Sequence, residues 1–294
     1  MLRTSPKTSR AVAHAGLFYA AAIWGSTFFL VKQAISGVHP ITLIAYRFLI
    51  AALIMLVFLL VTRRPLSREL GRGLILGLVI WVEYVAQTIG LTMTTAANSG
   101  FITGLFVVFI PVFLAVFFRS NPPRLEWLAA LVAIAGLWVL TGGLKHMNSG
   151  DALTLIAAVL YALHVLLTDR FMKRGADPIA LTFQQFAIVG LLSLLTMVVF
   201  RIPTSVQTSG TTWAIVFLAL FPTLSAYIIQ VYAQRIISPV RVSLIFAFEP
   251  VFGGIFAWTL GGETVHLNSA LGGFLIFVAL VISGFSAPAE KSAQ

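Results

Sequence analysis

Cysteine is absent from the 294 residues. That excludes disulfides and thiolate metal sites and leaves the compartment open, since a helical chain packed in lipid needs no disulfide. Charge is scarce as well: 10% of the residues are Asp, Glu, Lys or Arg, with 9 acidic against 19 basic. Globular domains in water carry about 25% charged residues, so an ordinary soluble fold is excluded. No Walker-type glycine-rich loop is present, and neither His-Glu-x-x-His nor Gly-x-Ser-x-Gly occurs. ATP hydrolysis is therefore not built into the chain, and no enzymatic activity, cofactor or metal site is expected.

What the chain has instead is apolar length. Hydrophobic residues make up 59% of it, and its mean hydropathy is +1.00. A helix needs about 20 mostly apolar residues to cross a hydrocarbon core of about 30 Å. Ten stretches approach that length, near 14–35, 41–61, 73–93, 97–118, 125–142, 150–170, 178–200, 212–233, 238–260 and 269–286. They predict an all-α membrane protein of ten transmembrane helices. The first stretch follows Arg3, Lys7 and Arg10 as a signal peptide would. Its apolar part is long, no small-residue cleavage site closes it, and further spans follow, so it is expected to stay as helix 1.

The positions of the charges say more than their sum of +10. Arg3, Lys7, Arg10, Arg63, Arg64, Arg68, Arg72, Arg119, Arg124, Arg170, Lys173, Arg174, Arg235, Arg241 and Lys291 fall in every second connection. Only Lys32, Lys145 and Arg201 fall in the others, and Arg47 lies inside a span. Cytoplasmic loops hold the excess of Lys and Arg, so both termini of this multi-pass chain are expected in the cytoplasm. A basic surface of this kind is a topology signal and a contact for anionic lipid rather than for nucleic acid.

The halves of the chain resemble each other. Pro40, Ile41, Leu43 and Phe48 recur as Pro178, Ile179, Leu181 and Phe186, an offset of 138. Ser99, Leu105, Phe109, Pro111, Val112 and Phe113 recur as Ser238, Leu244, Phe248, Pro250, Val251 and Phe252, an offset of 139. The expected units are residues 1–146 and 147–294. Five helices per unit is an odd number, so the second copy enters the membrane from the opposite side. Inverted repeats of this kind recur in secondary transporters, with the solute site near the midplane at the repeat interface.

Trp24-Gly25-Ser26, Arg47-Phe48, the run from Thr95 to Gly100, the paired Pro-Val-Phe segments, and Glu249-Pro250 followed by Gly262-Glu263 resemble the EamA-type members of the drug/metabolite transporter superfamily. The resemblance covers nearly the whole chain. It implies a ten-helix exporter of small metabolites, amino acids or drugs in the bacterial inner membrane, with a central cavity between the halves. The family's glutamate after the second Pro-Val-Phe helix is present as Glu263, whereas the first half reads Asn121-Pro122-Pro123-Arg124 at that place.

An ionisable group at the centre of a span costs about 2.5–3.5 kcal/mol on insertion scales, so it calls for a partner or a cavity. Arg47, Glu83, His164 and Glu249 are the four such groups. Glu83 and Gln87, four apart, share a helix face beside Trp81 and Tyr84. Glu83 is a candidate for holding an ammonium group through charge and cation–π attraction or for carrying a proton, and a salt bridge to Arg47 is the structural alternative. His164 is a second candidate proton carrier, or a neutral histidine bonded to another helix. Trp24 and Tyr161, 137 apart, would face each other across a pseudo-axis, either lining a cavity or packing helices. Asn98, Phe101, Tyr227, Gln230 and Gln234 add polar and aromatic surface. Arg47, Pro111, Glu249, Pro250 and Glu263 are expected to stabilise bends, helix ends or gates, with a place facing the cavity as the alternative for Glu249.

Together these features predict a secondary active transporter that exports a small organic metabolite, an amino acid or related amine with an aromatic group among the options. A passive facilitator or channel, and a multidrug cation exporter, are the alternatives. Its expected partners are the solute and membrane lipid, and both monomer and homodimer stay open.

Overall fold

A computed structural model of the chain describes residues 6–118, 123–143, 147–237 and 239–286. Arg3, Arg119, Asn121, Pro122, Lys145, Ser238 and Lys291, which enter the charge and repeat patterns, lie outside the described residues, as does the side chain of Leu244. Among the described residues the structure is helical throughout, with no strand. In chain order the helices are α1 (Pro6–Ala34), α2 (Pro40–Val61), α3 (Leu70–Met93), α4 (Ala96–Gly104), α5 (Phe106–Phe118), α6 (Arg124–Thr141) and α7 (Ser149–Lys173). They continue as α8 (Pro178–Val199), α9 (Ser209–Leu218), a π-helical turn (Ala219–Ser225), α10 (Ala226–Ala233), α11 (Pro239–Phe246), α12 (Glu249–Thr259) and α13 (Leu267–Ser286).

The starts of the spans follow from local chemistry. Proline is tolerated in a first helical turn, where its missing N–H has no partner to lose. Pro40 and Pro178 both take that place, behind His39 and Asp177 as N-caps. The Asp177 carboxylate accepts from the backbone N–H groups of Ile179 and Ala180 at 3.0 and 3.2 Å. Asn148 and Asp151 open α7 with reciprocal capping bonds, which satisfies donors that would otherwise be left bare.

Among the described residues, seven helical stretches are long and apolar enough to cross a membrane: Arg10–Ala34, Pro40–Val61, Leu70–Met93, Ala96–Phe117, Ser149–Lys173, Pro178–Val199 and Ser209–Ala233. Trp127–Thr141 and Leu267–Ile282 are apolar but shorter. Large apolar side chains stand exposed along α2, α6, α8 and α13, among them Val61, Leu131, Val199 and Phe274, as lipid-facing residues do.

Three of the expected continuous spans are interrupted. The stretch near 97–118 breaks at Leu105, whose N–H turns back to the Ile102 carbonyl at 3.1 Å, and not at Pro111, which α5 accommodates. The stretch near 238–260 breaks between Phe246 and Glu249, where Pro250 sits in the first turn of α12. The stretch near 212–233 widens into the π-helical turn around Pro222. Proline there donates nothing to the Leu218 carbonyl four residues back, and the Thr223 hydroxyl donates to it instead at 2.7 Å.

Packing runs mostly between the first and second halves. α6 lies on α13, α3 on α7 and α8, α2 on α8, α4 on α12, and α1 on α12 and α10. Small residues allow these approaches. A Cβ added at Gly272 would strike the backbone of Leu140 and Gly136, so α6 and α13 meet backbone to backbone there.

Candidate functional site

Two carboxyl groups, one from each half, meet at the centre of the bundle. Glu83 of α3 and Glu249 of α12 line one cavity together with Trp24 and Thr27 of α1, Tyr84 and Gln87 of α3, Thr103 of α4, Tyr161 of α7 and Tyr227 of α10. Both glutamates are 5% exposed. The cavity measures about 20 Å³, room for roughly one water. Larger clefts of about 480 and 690 Å³ lie between α1 and α9 and between α1 and α10. Neither is lined by a carboxylate; a cleft of about 170 Å³ holds Glu263 and His266 beside the start of α4, and the central cavity alone of these takes a carboxyl from each half.

Local helical order places these side chains. Trp24 and Thr27, three apart on α1, share a face, as do Glu83 and Gln87. Glu249 reaches the cavity because the break before α12 starts a new helix at that residue. Aromatic edges close around it. The Trp24 ring lies 6.1 Å from Tyr161, 5.3 Å from Tyr227 and 4.9 Å from Phe246. Tyr161 stacks on Phe106 at 4.3 Å. Ring separations of about 4.5–7 Å in edge-to-face or offset geometry are favourable, so these rings brace the walls against one another.

Polar atoms are divided between those spoken for and those left over. Trp24 Nε1 donates to the Pro222 carbonyl at 2.7 Å, Gln87 Nε2 to Thr103 at 3.2 Å, and the Tyr227 hydroxyl to that of Tyr84 at 3.3 Å. By contrast, one carboxyl oxygen of Glu83 and one of Glu249 are buried with no hydrogen-bond partner among the described residues, and the Tyr161 hydroxyl stands next to the Glu249 carboxyl. Buried polar groups almost always find partners, so these two unpaired oxygens, on residues that line one cavity, mark it as a place for a ligand, a proton or water.

The structure separates the residues singled out from the sequence. Trp24, Glu83, Gln87, Tyr161 and Tyr227 come together in the cavity. Glu249, expected to act on the bend at Pro250 or to face the cavity, lines the cavity, while Pro250 packs against Gly104. Asn98 does not reach it; its side-chain oxygen accepts from Ser269 of α13 at 3.2 Å. Phe101 is turned away as well, toward Trp258 at 6.0 Å and over Gly273. Both stand on the side of α4 that packs against α12 and α13.

His164 and Gln230 lie one layer behind the cavity. The His164 ring sits edge-on to Tyr227 at 5.9 Å, and its Nε2 meets Gln185 Oε1 at 3.1 Å. Gln230 is fully buried with both side-chain polar atoms unpartnered. Gln234 donates to the Val165 carbonyl at 3.0 Å.

The alternative salt bridge between Arg47 and Glu83 is not formed: the described ion pairs include none between them. Arg47 donates from Nε to the Thr223 hydroxyl and from Nη2 to Tyr84 at 3.2 Å, with its guanidinium 4.8 Å from the centre of the Tyr84 ring. Glu263 caps a helix, but a distant one. Its carboxylate accepts from the backbone N–H groups of Ala96 and Ala97 at 2.6 and 3.1 Å, at the positive end of α4. Pro111 is half-buried in α5 and does not line the cavity.

Thr27, Tyr84 and Thr103 complete the lining and were not among the expected site residues. Thr27 carried a signal, three positions beyond Trp24. Tyr84 stood beside Glu83, where a helix turns a neighbour by about 100°, and Thr103 carried none.

Comparison with known proteins agrees with this architecture. The model of the EamA-like transporter family matches the chain twice, at residues 12–142 and 148–285. An uncharacterized transporter of Archaeoglobus fulgidus is 30% identical over 277 residues, covering 93% of this chain and 86% of its own. The uncharacterized inner membrane transporter YedA of Escherichia coli is 27% identical over 280 residues, covering 91% and 90%. A crystal structure of a chain 19% identical superposes with a TM-score of 0.71 over 94% of this chain and 97% of that one. With a central carboxylate-bearing cavity, multiple membrane-crossing helices and two family matches, the chain is a multi-pass membrane protein that belongs to the EamA-like transporter family.

Proposed function

We propose that the chain is a secondary transporter that moves a small organic solute, an amino acid or related amine, out of the cytoplasm by alternating access. It would work as ten spans in two inverted five-helix units, residues 1–146 and 147–294, in the bacterial inner membrane with both termini cytoplasmic. The observation that carries this is the central cavity: it takes one buried carboxyl from each half, its walls are aromatic, and it holds about one water. A pore would leave a continuous path. Here a solute enters only if the halves move apart.

Contacts between the halves at both ends support this reading. On the side assigned to the periplasm by the basic-residue pattern, Thr42 and Tyr46 donate to the carbonyls of Pro203 and Thr204 at 2.7 and 2.8 Å, and Glu263 caps α4. On the opposite side Asp177 takes ion pairs from Arg64 and Arg68 at 3.8 and 3.3 Å, and its backbone N–H donates to Glu69. Two sets of cross-half contacts, one at each end, are what a pathway opening to one face at a time requires. The pairing of helices also supports a pseudo-two-fold relation: α3 against α7 exchanges into α10 against α1 when the halves are swapped.

Counterflow in liposomes separates a carrier from a facilitator. Saturable, trans-stimulated exchange is expected, and non-saturating flux without trans-stimulation would indicate a pore. Solute flux is expected to respond to the pH gradient in the wild type and to lose that response in Glu83→Gln. A Glu83→Gln variant with an unchanged pH profile would remove Glu83 from the coupling.

A further inference from the structure

We infer that Glu83 and Glu249 act as one cation site shared by the two halves, and that the solute is an organic amine without a carboxylate, exchanged for a proton. The inference rests on the carrier function proposed above and narrows its substrate to one charge class.

Charge balance leads there. Removing a carboxylate from water costs several kcal/mol even after relaxation, and two in one cavity also repel each other. Glu83 lies within electrostatic reach of both Glu249 and Arg47. Arg47 offsets at most one of the two negative charges, and from outside the cavity, so one positive charge is still needed to balance the pair. From α2, Arg47 is committed to Thr223 and Tyr84. The groups facing the pair from α3, α7 and α10 are the hydroxyls of Tyr84, Tyr161 and Tyr227; from α1 and α4 they are Thr27 and Thr103. His164 stands behind Tyr227 and turns its Nε2 to Gln185. Among the described residues, no basic side chain lines the cavity.

Two consequences follow. When no solute is bound, a proton on the pair supplies the missing charge. When a solute is bound, its ammonium takes that place between two carboxyl oxygens that have no other partner, with the faces and edges of Trp24, Tyr84, Tyr161 and Tyr227 around it. One R-NH₃⁺ enters as one H⁺ leaves, so the charge of the site is unchanged through the cycle. A zwitterionic amino acid fits worse than its decarboxylated amine, because its carboxylate would meet two acidic groups and no cation.

The test uses three probes of one ring and similar chain length that differ in charge: phenethylamine, phenylalanine and 3-phenylpropionate. Full-length protein is assayed in detergent for ligand-induced thermal stabilisation and in liposomes for counterflow with a pH-sensitive dye. Phenethylamine alone is expected to bind and exchange, releasing about one proton per amine. Its apparent affinity is expected to weaken by up to about tenfold per pH unit on acidification where proton and amine compete one for one. Glu83→Gln and Glu249→Gln are each expected to abolish the pH dependence while retaining the wild-type unfolding temperature within a few degrees. Exchange of phenylalanine but not phenethylamine would leave a carrier and overturn the cation site. Phenethylamine affinity that is insensitive to pH, or unaltered in Glu249→Gln, would overturn the sharing of the site. Absence of binding and exchange for all three would overturn both the inference and the carrier function beneath it.

Discussion

Single residues in the middle of the bundle divide into those that hold the cavity in shape and those that leave an atom free inside it. Arg47 belongs to the first group: its bonds to Thr223 and Tyr84 tie α2 to the π-helical turn and to α3. Thr223 in turn donates to the Leu218 carbonyl that Pro222 leaves without its helical donor. Replacing Thr223 by Val removes both bonds and leaves a buried guanidinium short of an acceptor. Hydrogen bonds to charged groups contribute about 1.5–3 kcal/mol, so Thr223→Val is expected to lower the unfolding temperature in detergent markedly. An unchanged temperature would show that Arg47 is held by Tyr84 alone. Much at this scale was legible beforehand. Spacing along a helix tied Glu83 to Gln87, and the offset between halves paired Trp24 with Tyr161. For Glu249 a local role at the proline bend and a place in the cavity both fitted the sequence, and only the break before α12 shows which way the helix restarts.

Elements add a second kind of constraint, in which one helix end is completed by a residue far along the chain. Glu263 caps α4 from 167 and 166 positions away. A role at a helix end was legible in the sequence, but no local pattern announces which helix a residue so far along the chain will complete. Loss of a capping side chain costs about 0.5–2 kcal/mol, and the partial positive charge of the α4 terminus adds to the attraction. Glu263→Ala is therefore expected to destabilise the contact between α4 and the segment before α13 by an amount in that range. Hydrogen exchange at the amides of Ala96 and Ala97 would report it as faster exchange. Helix contacts that depend on missing side chains behave differently. Gly272→Leu would push α13 from the backbone of α6, and overpacking costs about 1–3 kcal/mol or more. The expected outcome is poor recovery of folded protein after solubilisation, with Gly262→Leu, where nothing stands within 4 Å but φ is +70°, showing the smaller loss expected of backbone strain alone.

At the scale of the whole molecule, the cross-half contacts at the two ends should control which face the cavity opens to. The absence of cysteine makes this directly measurable, because a single introduced thiol is the only one in the chain. Thr103→Cys places it in the cavity lining while leaving both carboxyls intact. In the parent background the closed cavity is expected to label slowly from either face. Asp177→Asn weakens the ion pairs with Arg64 and Arg68 and should raise labelling from the cytoplasmic face. Glu263→Ala releases α4 at the other end and should raise labelling from the periplasm. Exposed ion pairs contribute only about 0–1 kcal/mol, so a shift of up to about fivefold in the open population is the size to expect from Asp177→Asn. If both variants raised labelling from the same face, the two ends would not be opposed gates. If the cytoplasmic and periplasmic responses were exchanged, the orientation read from the basic loops would have to be reversed while the alternation itself held.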